Sequence, residues 1–145
     1  MCLTESPRLR HEFVELVPEV LEGNVLYISI KYRTAVHLCC CGCGVEVATP
    51  LSPAEWQLTF DGETVTLYPS IGNWNLNCRS HYWIRRDRVE WARTWTAREV
   101  AKAKQRDRSA TEKQFAVMNK QSDDAIRDEA SRRDTLWDRI WKRLS

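Results

Sequence analysis

The last 49 residues of this chain contain no glycine and no proline. All five glycines and all five prolines of the 145-residue sequence lie before residue 73. The sequence also lacks a run of 18 apolar residues, which argues against a transmembrane helix. It shows no basic segment followed by an apolar stretch near residue 1, so no secretory signal is indicated. We therefore expect a cytoplasmic protein with no membrane partner.

The distribution of charge follows the same division of the chain. Residues 1–96 hold nine Lys or Arg and eleven Asp or Glu, whereas residues 97–145 hold thirteen and nine. Nothing in the second part interrupts a helix, because glycine and proline are the residues that do so most strongly. We predict a β domain over residues 1–96 and a charged helical extension over residues 97–145.

Several short segments of the first part have the composition of β-strands. Val25–Tyr32 alternates and is rich in β-branched and aromatic residues. Two pairs of such segments flank short turns and predict hairpins, the first with a type I′ turn at Asp61-Gly62. The paired segments are Trp56–Phe60 with Glu63–Tyr68, and Tyr82–Arg85 with Arg88–Trp91. Strands this short and frequent predict a small antiparallel β domain within an α+β fold.

The helical part has a recognisable beginning. Thr96-Ala-Arg-Glu99 fits a capping box, and Ser122-Asp-Asp would suit a second helix start. We expect either one long helix or two helices with a break near residues 119–123. An apolar stripe lies near the C-terminus. A homo-oligomer formed through these helices is one way to bury it. The stripe consists of Trp137, Ile140, Trp141 and Leu144.

The strongest chemical signal is a cluster of cysteines. The segment His37-Leu-Cys-Cys-Cys-Gly-Cys-Gly44 is followed 34 residues later by Cys78-Arg-Ser-His81. In a reducing compartment, clustered thiols usually bind metal rather than form disulfides. Thiolate and imidazole suit Zn²⁺, and two ligand pairs from separate loops would staple a small fold. We predict a zinc site.

There are more candidate ligands than a tetrahedral site needs. Our ligand prediction is Cys39, Cys41, Cys43, Cys78 and His81, with His37 ranked last. Cys40 points to the other face of an extended strand and is the best candidate for a core cysteine. Read as part of a C-x-x-C-G knuckle, however, Cys40 would also be a ligand.

The zinc ion has either a structural or a catalytic role. A closed four-ligand site is usually structural, whereas a catalytic zinc keeps one position for water. An enzyme would need a group that moves a proton, and the candidates are Glu46 and His37. A cysteine nucleophile beside His81 is a weaker alternative, since metal binding would use both residues. Ser80 fits a hydrogen-bond partner of the site better than a nucleophile.

Residues 25–92 resemble a small bacterial domain-of-unknown-function family. The matching motifs are H-L-C-x-C-G-C-G, T-P-L-S-P-x-x-W, D-G-x-T-V, P-S-I-G-N-W and C-x-S-H-Y-W-I. The family's pattern varies at Cys40, which favours the other cysteines as ligands. The resemblance implies a genetic neighbourhood of bacterial ubiquitin-like modifiers with E1-like and E2-like enzymes, in islands linked to phage defence.

The resemblance, together with the zinc site, gives our first functional hypothesis. It is a zinc-dependent peptidase that trims or removes a ubiquitin-like protein, whose extended tail would add to an open β edge. The alternative is a zinc-stapled adaptor or ligase-like binding module of the same pathway. A nucleic-acid-binding module ranks third, because residues 1–96 are net acidic and the charges of the tail alternate in sign.

Overall fold

The computed structural model describes residues 7–93 and 95–144, with side chains of the helix described as far as residue 133. The chain has an α+β fold, as predicted. Its elements are β1 (Arg10–Phe13), β2 (Val25–Ser29), β3 (Thr34–Leu38), β4 (Glu46–Pro50), β5 (Gln57–Phe60), β6 (Val65–Gly72), β7 (His81–Arg85), β8 (Arg88–Trp91) and α1 (Ala97–Leu144). The chain falls into two compact units, residues 1–107 and residues 108–145.

The strands form two four-stranded sheets in chain order. One sheet is β1-β2-β3-β4 and the other is β5-β6-β7-β8. All neighbours are antiparallel except β1 and β2, which run parallel with Arg10 opposite Val25. The domain is therefore antiparallel-rich rather than wholly antiparallel.

One hydrophobic core draws residues from both sheets. β2 contributes Leu26 and Ile28, β6 contributes Leu67, and β7 contributes Ile84. These four side chains are almost completely inaccessible to solvent. Each fully buried leucine or isoleucine contributes about 1.5–3 kcal/mol, so this shared core stabilises the fold that positions the site.

Both predicted hairpins are present, but the first turn is not the type I′ turn expected at Asp61-Gly62. Only Gly62 has a positive φ in the first turn, where the Asp61 carboxylate accepts hydrogen bonds from the backbone N–H groups of Glu63 and Thr64. These hydrogen bonds from the Asp61 side chain hold a turn that is different from the predicted type I′ turn. In the second turn Arg86 and Asp87 both have positive φ, at 49° and 61°. The buried Asp87 carboxylate accepts the backbone N–H of Val65, which holds that turn against the sheet.

The C-terminal element is one helix of 48 residues, without the alternative break near residues 119–123. At its start the Glu99 carboxylate accepts the backbone N–H of Thr96 at 2.9 Å, and Thr96 Oγ accepts the Glu99 N–H at 3.3 Å. The side chains of the predicted stripe Trp137, Ile140, Trp141 and Leu144 lie outside the described residues, as does Cys2. No helix in the described part of the chain combines the length and apolarity needed to cross a membrane.

Candidate functional site

Four cysteines converge at one end of the β domain. Cys39, Cys41 and Cys43 belong to the turn between β3 and β4, and Cys78 belongs to the segment between β6 and β7. Their sulfur atoms all lie within 4.8 Å of one another. The turn can close this tightly because Gly42 and Gly44 adopt φ values of +84° and +75°, which other residues rarely adopt. Four thiols from two segments that are far apart in sequence thus lie close together.

The donor set and spacing fit a tetrahedral metal ion. Zinc–sulfur bonds of about 2.3 Å place the sulfurs of such a site about 3.8 Å apart. Here Cys39 Sγ lies 3.4 Å from Cys41 Sγ and 3.9 Å from Cys78 Sγ. Four cysteines are a ligand set typical of structural zinc, although sulfur ligands alone do not identify the metal.

Ser80 lies directly beside this cysteine group. Its hydroxyl is 3.1 Å from Cys39 Sγ and 3.6 Å from Cys78 Sγ. The Ser80 hydroxyl and backbone lower the pKa of Cys78 to about 6, against the opposing effect of burial. Asn73 Nδ2 donates to Ser80 Oγ at 2.8 Å and fixes the hydroxyl. The Ser80 hydroxyl therefore favours the thiolate form of Cys78.

Two of the predicted site residues lie apart from the cysteine group. His37 is fully buried in β3, and its Nε2 is 2.9 Å from Tyr82 Oη, while its Nδ1 has no partner among the described residues. Burial lowers the pKa of His37 to about 4, so the ring is neutral at pH 7. Glu46 is an exposed residue at the start of β4. Cys40 packs against the core, and burial raises its pKa to about 11.

His81 faces a serine instead of the cysteines. His81 Nε2 lies 2.8 Å from Ser70 Oγ, within hydrogen-bond distance. Ser70 belongs to β6, where the pairing register with β7 shifts between Leu67 and Ile71. A bulge of this kind can redirect a side chain near an active site. A partly buried serine hydroxyl and a buried imidazole therefore form a hydrogen-bonded pair on adjacent strands.

Three indole rings surround the imidazole of His81. The ring centroids of Trp74, Trp83 and Trp95 lie 4.9, 5.6 and 4.4 Å from that of His81. Trp74 and Trp95 also stack on each other at 5.3 Å with 21° between their planes. This arrangement fixes the ring orientation by packing and excludes water from most of its surface.

The environment of His81 favours the neutral form of the imidazole. Burial lowers the pKa of His81, although the backbone of Arg93 partly opposes the shift. Nδ1 is buried with no hydrogen-bond partner of good geometry among the described residues. A neutral ring can accept the Ser70 proton at Nε2, which is the first requirement for a serine nucleophile with a histidine base. Ser70 and His81 thus form a pair rather than a carboxylate-assisted triad in this part of the chain.

Sequence reasoning missed Ser70, although its motif was visible. The proline and glycine of Pro69-Ser-Ile-Gly-Asn-Trp74 hide the strand that carries Ser70, because both residues are depleted in strands. The sequence contains a serine and a histidine, Ser70 and His81, in neighbouring segments. A site with four cysteine ligands needs neither of them as a ligand. Ser80 was the expected hydrogen-bond partner, and the structure places it beside the cysteines.

The site therefore combines two features: a serine–histidine pair suited to nucleophilic chemistry, and a four-cysteine group suited to a metal ion. Comparison with known families matches residues 13–92 to the model described as "Bacterial ubiquitination-like system serine protease (BubE)". That match spans more than half of the chain, and the chain belongs to this family. The resemblance to a domain of ubiquitin-like conjugation systems is thereby confirmed. No curated protein and no solved structure matches the chain.

Proposed function

We propose that this chain is a serine peptidase acting on the ubiquitin-like protein of a bacterial ubiquitination-like system. The 2.8 Å contact between Ser70 Oγ and His81 Nε2 carries the proposal. It is supported by the family's description, which names both a serine protease and a ubiquitination-like system. The E1-like and E2-like enzymes of that system are further proposed partners.

The geometry supports a two-step acyl transfer. Ser70 Oγ attacks the scissile carbonyl carbon while its proton passes to His81 Nε2. The protonated His81 then donates that proton to the nitrogen of the leaving amine, and the carbon–nitrogen bond breaks. Water hydrolyses the resulting ester with His81 again acting as the base, which restores the free hydroxyl. The indole rings of Trp74 and Trp95 hold the imidazole in place throughout.

We assign the metal ligands to Cys39, Cys41, Cys43 and Cys78 and give the metal a structural role. A bound cation would supply the cross-link between the β3–β4 turn and the segment before β7. A group of four thiolates occupies all positions of a tetrahedral ion and lowers its Lewis acidity, so water activation suits this donor set poorly. For this reason we favour serine chemistry over the zinc-dependent hydrolysis expected from the sequence.

The predicted base residues fit the serine mechanism less well than His81 does. The His37 side chain is completely buried and bonded to Tyr82, so a substrate does not reach it. Glu46 is solvent-exposed on β4 and is not part of the Ser70–His81 pair. We therefore propose His81 as the general base and leave the metal without a histidine ligand.

A cleavage assay with matched variants tests this function. The substrate is the system's ubiquitin-like protein carrying a short C-terminal extension, and mass spectrometry measures the products. We expect Ser70→Ala and His81→Gln to abolish cleavage, while Ser122→Ala, at an exposed serine of α1, leaves it unchanged. Circular dichroism checks that all variants are folded.

Two outcomes would contradict the proposal. If Ser70→Ala retained cleavage that a chelator removed, a metal-activated water would be the better mechanism. If the folded wild-type protein cleaved nothing, the adaptor or ligase-like alternative would take precedence.

A further inference from the structure

A cleft lies between β4 and the residues that end and follow β6. It has a volume of ≈ 250 Å³, and the β4 residues Glu46 and Ala48 lie on one side of it. Gly72 and Trp74 lie on the other side. The space is small for a cofactor-sized ligand, which usually occupies about 300–1,000 Å³. It suits a narrow occupant such as a single extended chain.

The cleft includes an unpaired edge of the first sheet. In the register of β3 and β4, Cys39 N–H donates to the Val45 carbonyl and Leu51 N–H donates to the Arg33 carbonyl. Along an antiparallel strand, the backbone N–H and carbonyl groups of successive residues point to alternate sides. The backbone groups of Val47 and Thr49 therefore also point towards β3. Ala48 therefore directs its N–H and carbonyl away from β3.

The pairing at the end of β4 confirms which way this edge faces. The Pro50 carbonyl, two residues after Ala48, accepts the backbone N–H of Trp56 at 3.2 Å. The backbone carbonyls of Pro50 and Ala48 point to the same side of β4, away from β3. Among the described strands, only β3 pairs with β4, so no strand covers the Ala48 edge.

Two residues that line the cleft, Gly72 and Trp74, are neighbours of His81. Gly72 is opposite His81 in the pairing of β6 with β7. Trp74 lines the cleft and also contacts the His81 ring. A chain lying along β4 in the cleft would therefore pass the residues that border Ser70 and His81.

We propose that the cleft binds the substrate as an extended peptide that adds to β4, with backbone hydrogen bonds to Ala48. The proposal rests on the proposed peptidase function and names its substrate class, an unstructured peptide segment rather than a folded surface. Main-chain pairing supplies affinity for such a segment with little dependence on its sequence, as in other cases of strand addition.

Amide hydrogen exchange tests the binding mode separately from catalysis. The full-length Ser70→Ala protein is mixed with a synthetic peptide comprising the last ten residues of the ubiquitin-like protein and a four-residue extension. We expect saturating peptide to slow exchange of the Ala48 amide at least about tenfold. The Phe60 amide is the control, since the same alternation places it on the outer edge of β5, away from the cleft. Its exchange rate should not change.

Kinetics of a matched pair of variants provide a second measurement. Ala48→Pro removes the outward N–H without removing a bond to β3, and proline is tolerated at such edge positions. We expect its KM to rise about 3- to 10-fold with little change in kcat, as for the loss of one hydrogen bond. Gly23→Ala, at a position where nothing lies within 4 Å of an added methyl group, is the control and should keep the wild-type KM.

The possible failures are distinguishable. Peptide binding without protection of Ala48, no peptide binding at all, or equal KM values for Ala48→Pro and the wild-type protein would each overturn strand addition. Protection of Ala48 together with no cleavage by the wild-type protein would support strand addition and contradict the peptidase function.

Discussion

At Gly72, the addition of a single methyl group should strongly disturb the packing around His81. A methyl group added at Gly72 would lie 2.3 Å from Trp74 Nε1 and 2.5 Å from Trp74 Cε2. Both distances are far below van der Waals contact, and the indole is a rigid ring rather than the end of a flexible chain. In Gly72→Ala the Trp74 ring must therefore move away from its present position.

The structure sets the magnitude of this effect. Moving the indole removes its stack on Trp95 and its edge contact with His81. Each aromatic pair contributes about 0.5–1.5 kcal/mol, so the variant should lose about 1–3 kcal/mol of unfolding free energy. Overpacking of a filled site costs a similar amount. Because the ring also orients His81, we expect kcat/KM to fall about 10- to 100-fold.

Urea unfolding and peptide cleavage measure the two effects. Gly23→Ala is the matched control, because nothing lies within 4 Å of a methyl group there. It should keep wild-type stability and activity. A Gly72→Ala protein with wild-type stability and wild-type kcat/KM would refute the role assigned to the packing of Trp74 on His81.

Three further predictions concern the buried polar groups and the cysteines. The pKa of His37 is about 4 in the folded state against 6.5 when unfolded. The contribution of the neutral His37 ring to the free energy of unfolding is therefore fully present above pH 6.5 and is lost as the pH falls towards 4. About 3 kcal/mol should disappear over that range in urea titrations, and His37→Gln should show a shallower loss; equal slopes would contradict this. Removing the metal with a chelator should lower the unfolding temperature by about 10 °C or more in calorimetry, whereas an unchanged temperature would exclude a structural ion. Ser80→Ala should weaken metal affinity about 10- to 100-fold in competition with a chromophoric chelator, and unchanged affinity would show that the Ser80 hydroxyl does not support the sulfurs.

Local patterns predicted much of the fold. Alternating apolar residues identified β2 and both hairpins, and the absence of glycine and proline after residue 72 allowed a single long helix. The parallel pairing of β1 with β2 was not predictable in this way, because it depends on contacts between segments rather than on either segment alone. β4 was missed for a related reason, since Glu46–Pro50 is a short edge strand that ends in proline.

The candidate site was predictable in part. Cysteine spacing identified the residues that the structure brings together, since their ligand chemistry is visible in the sequence. The position of His81 was not visible, because Cys78-x-x-His81 has the spacing of a ligand pair. In the extended chain at the start of β7, neighbouring side chains point to opposite sides. Ser80 therefore faces Cys39 while His81 faces Ser70, and only the pairing of β6 with β7 reveals this contact.

The central claim is that His81 activates the hydroxyl of Ser70. The most direct test treats the folded protein with a fluorophosphonate, which reacts with activated serines, and locates the adduct by peptide mass spectrometry. We predict one adduct per chain, located on Ser70, lost in Ser70→Ala and strongly slowed in His81→Gln. An actively cleaving protein that forms no adduct, or forms it on another residue, would contradict the claim.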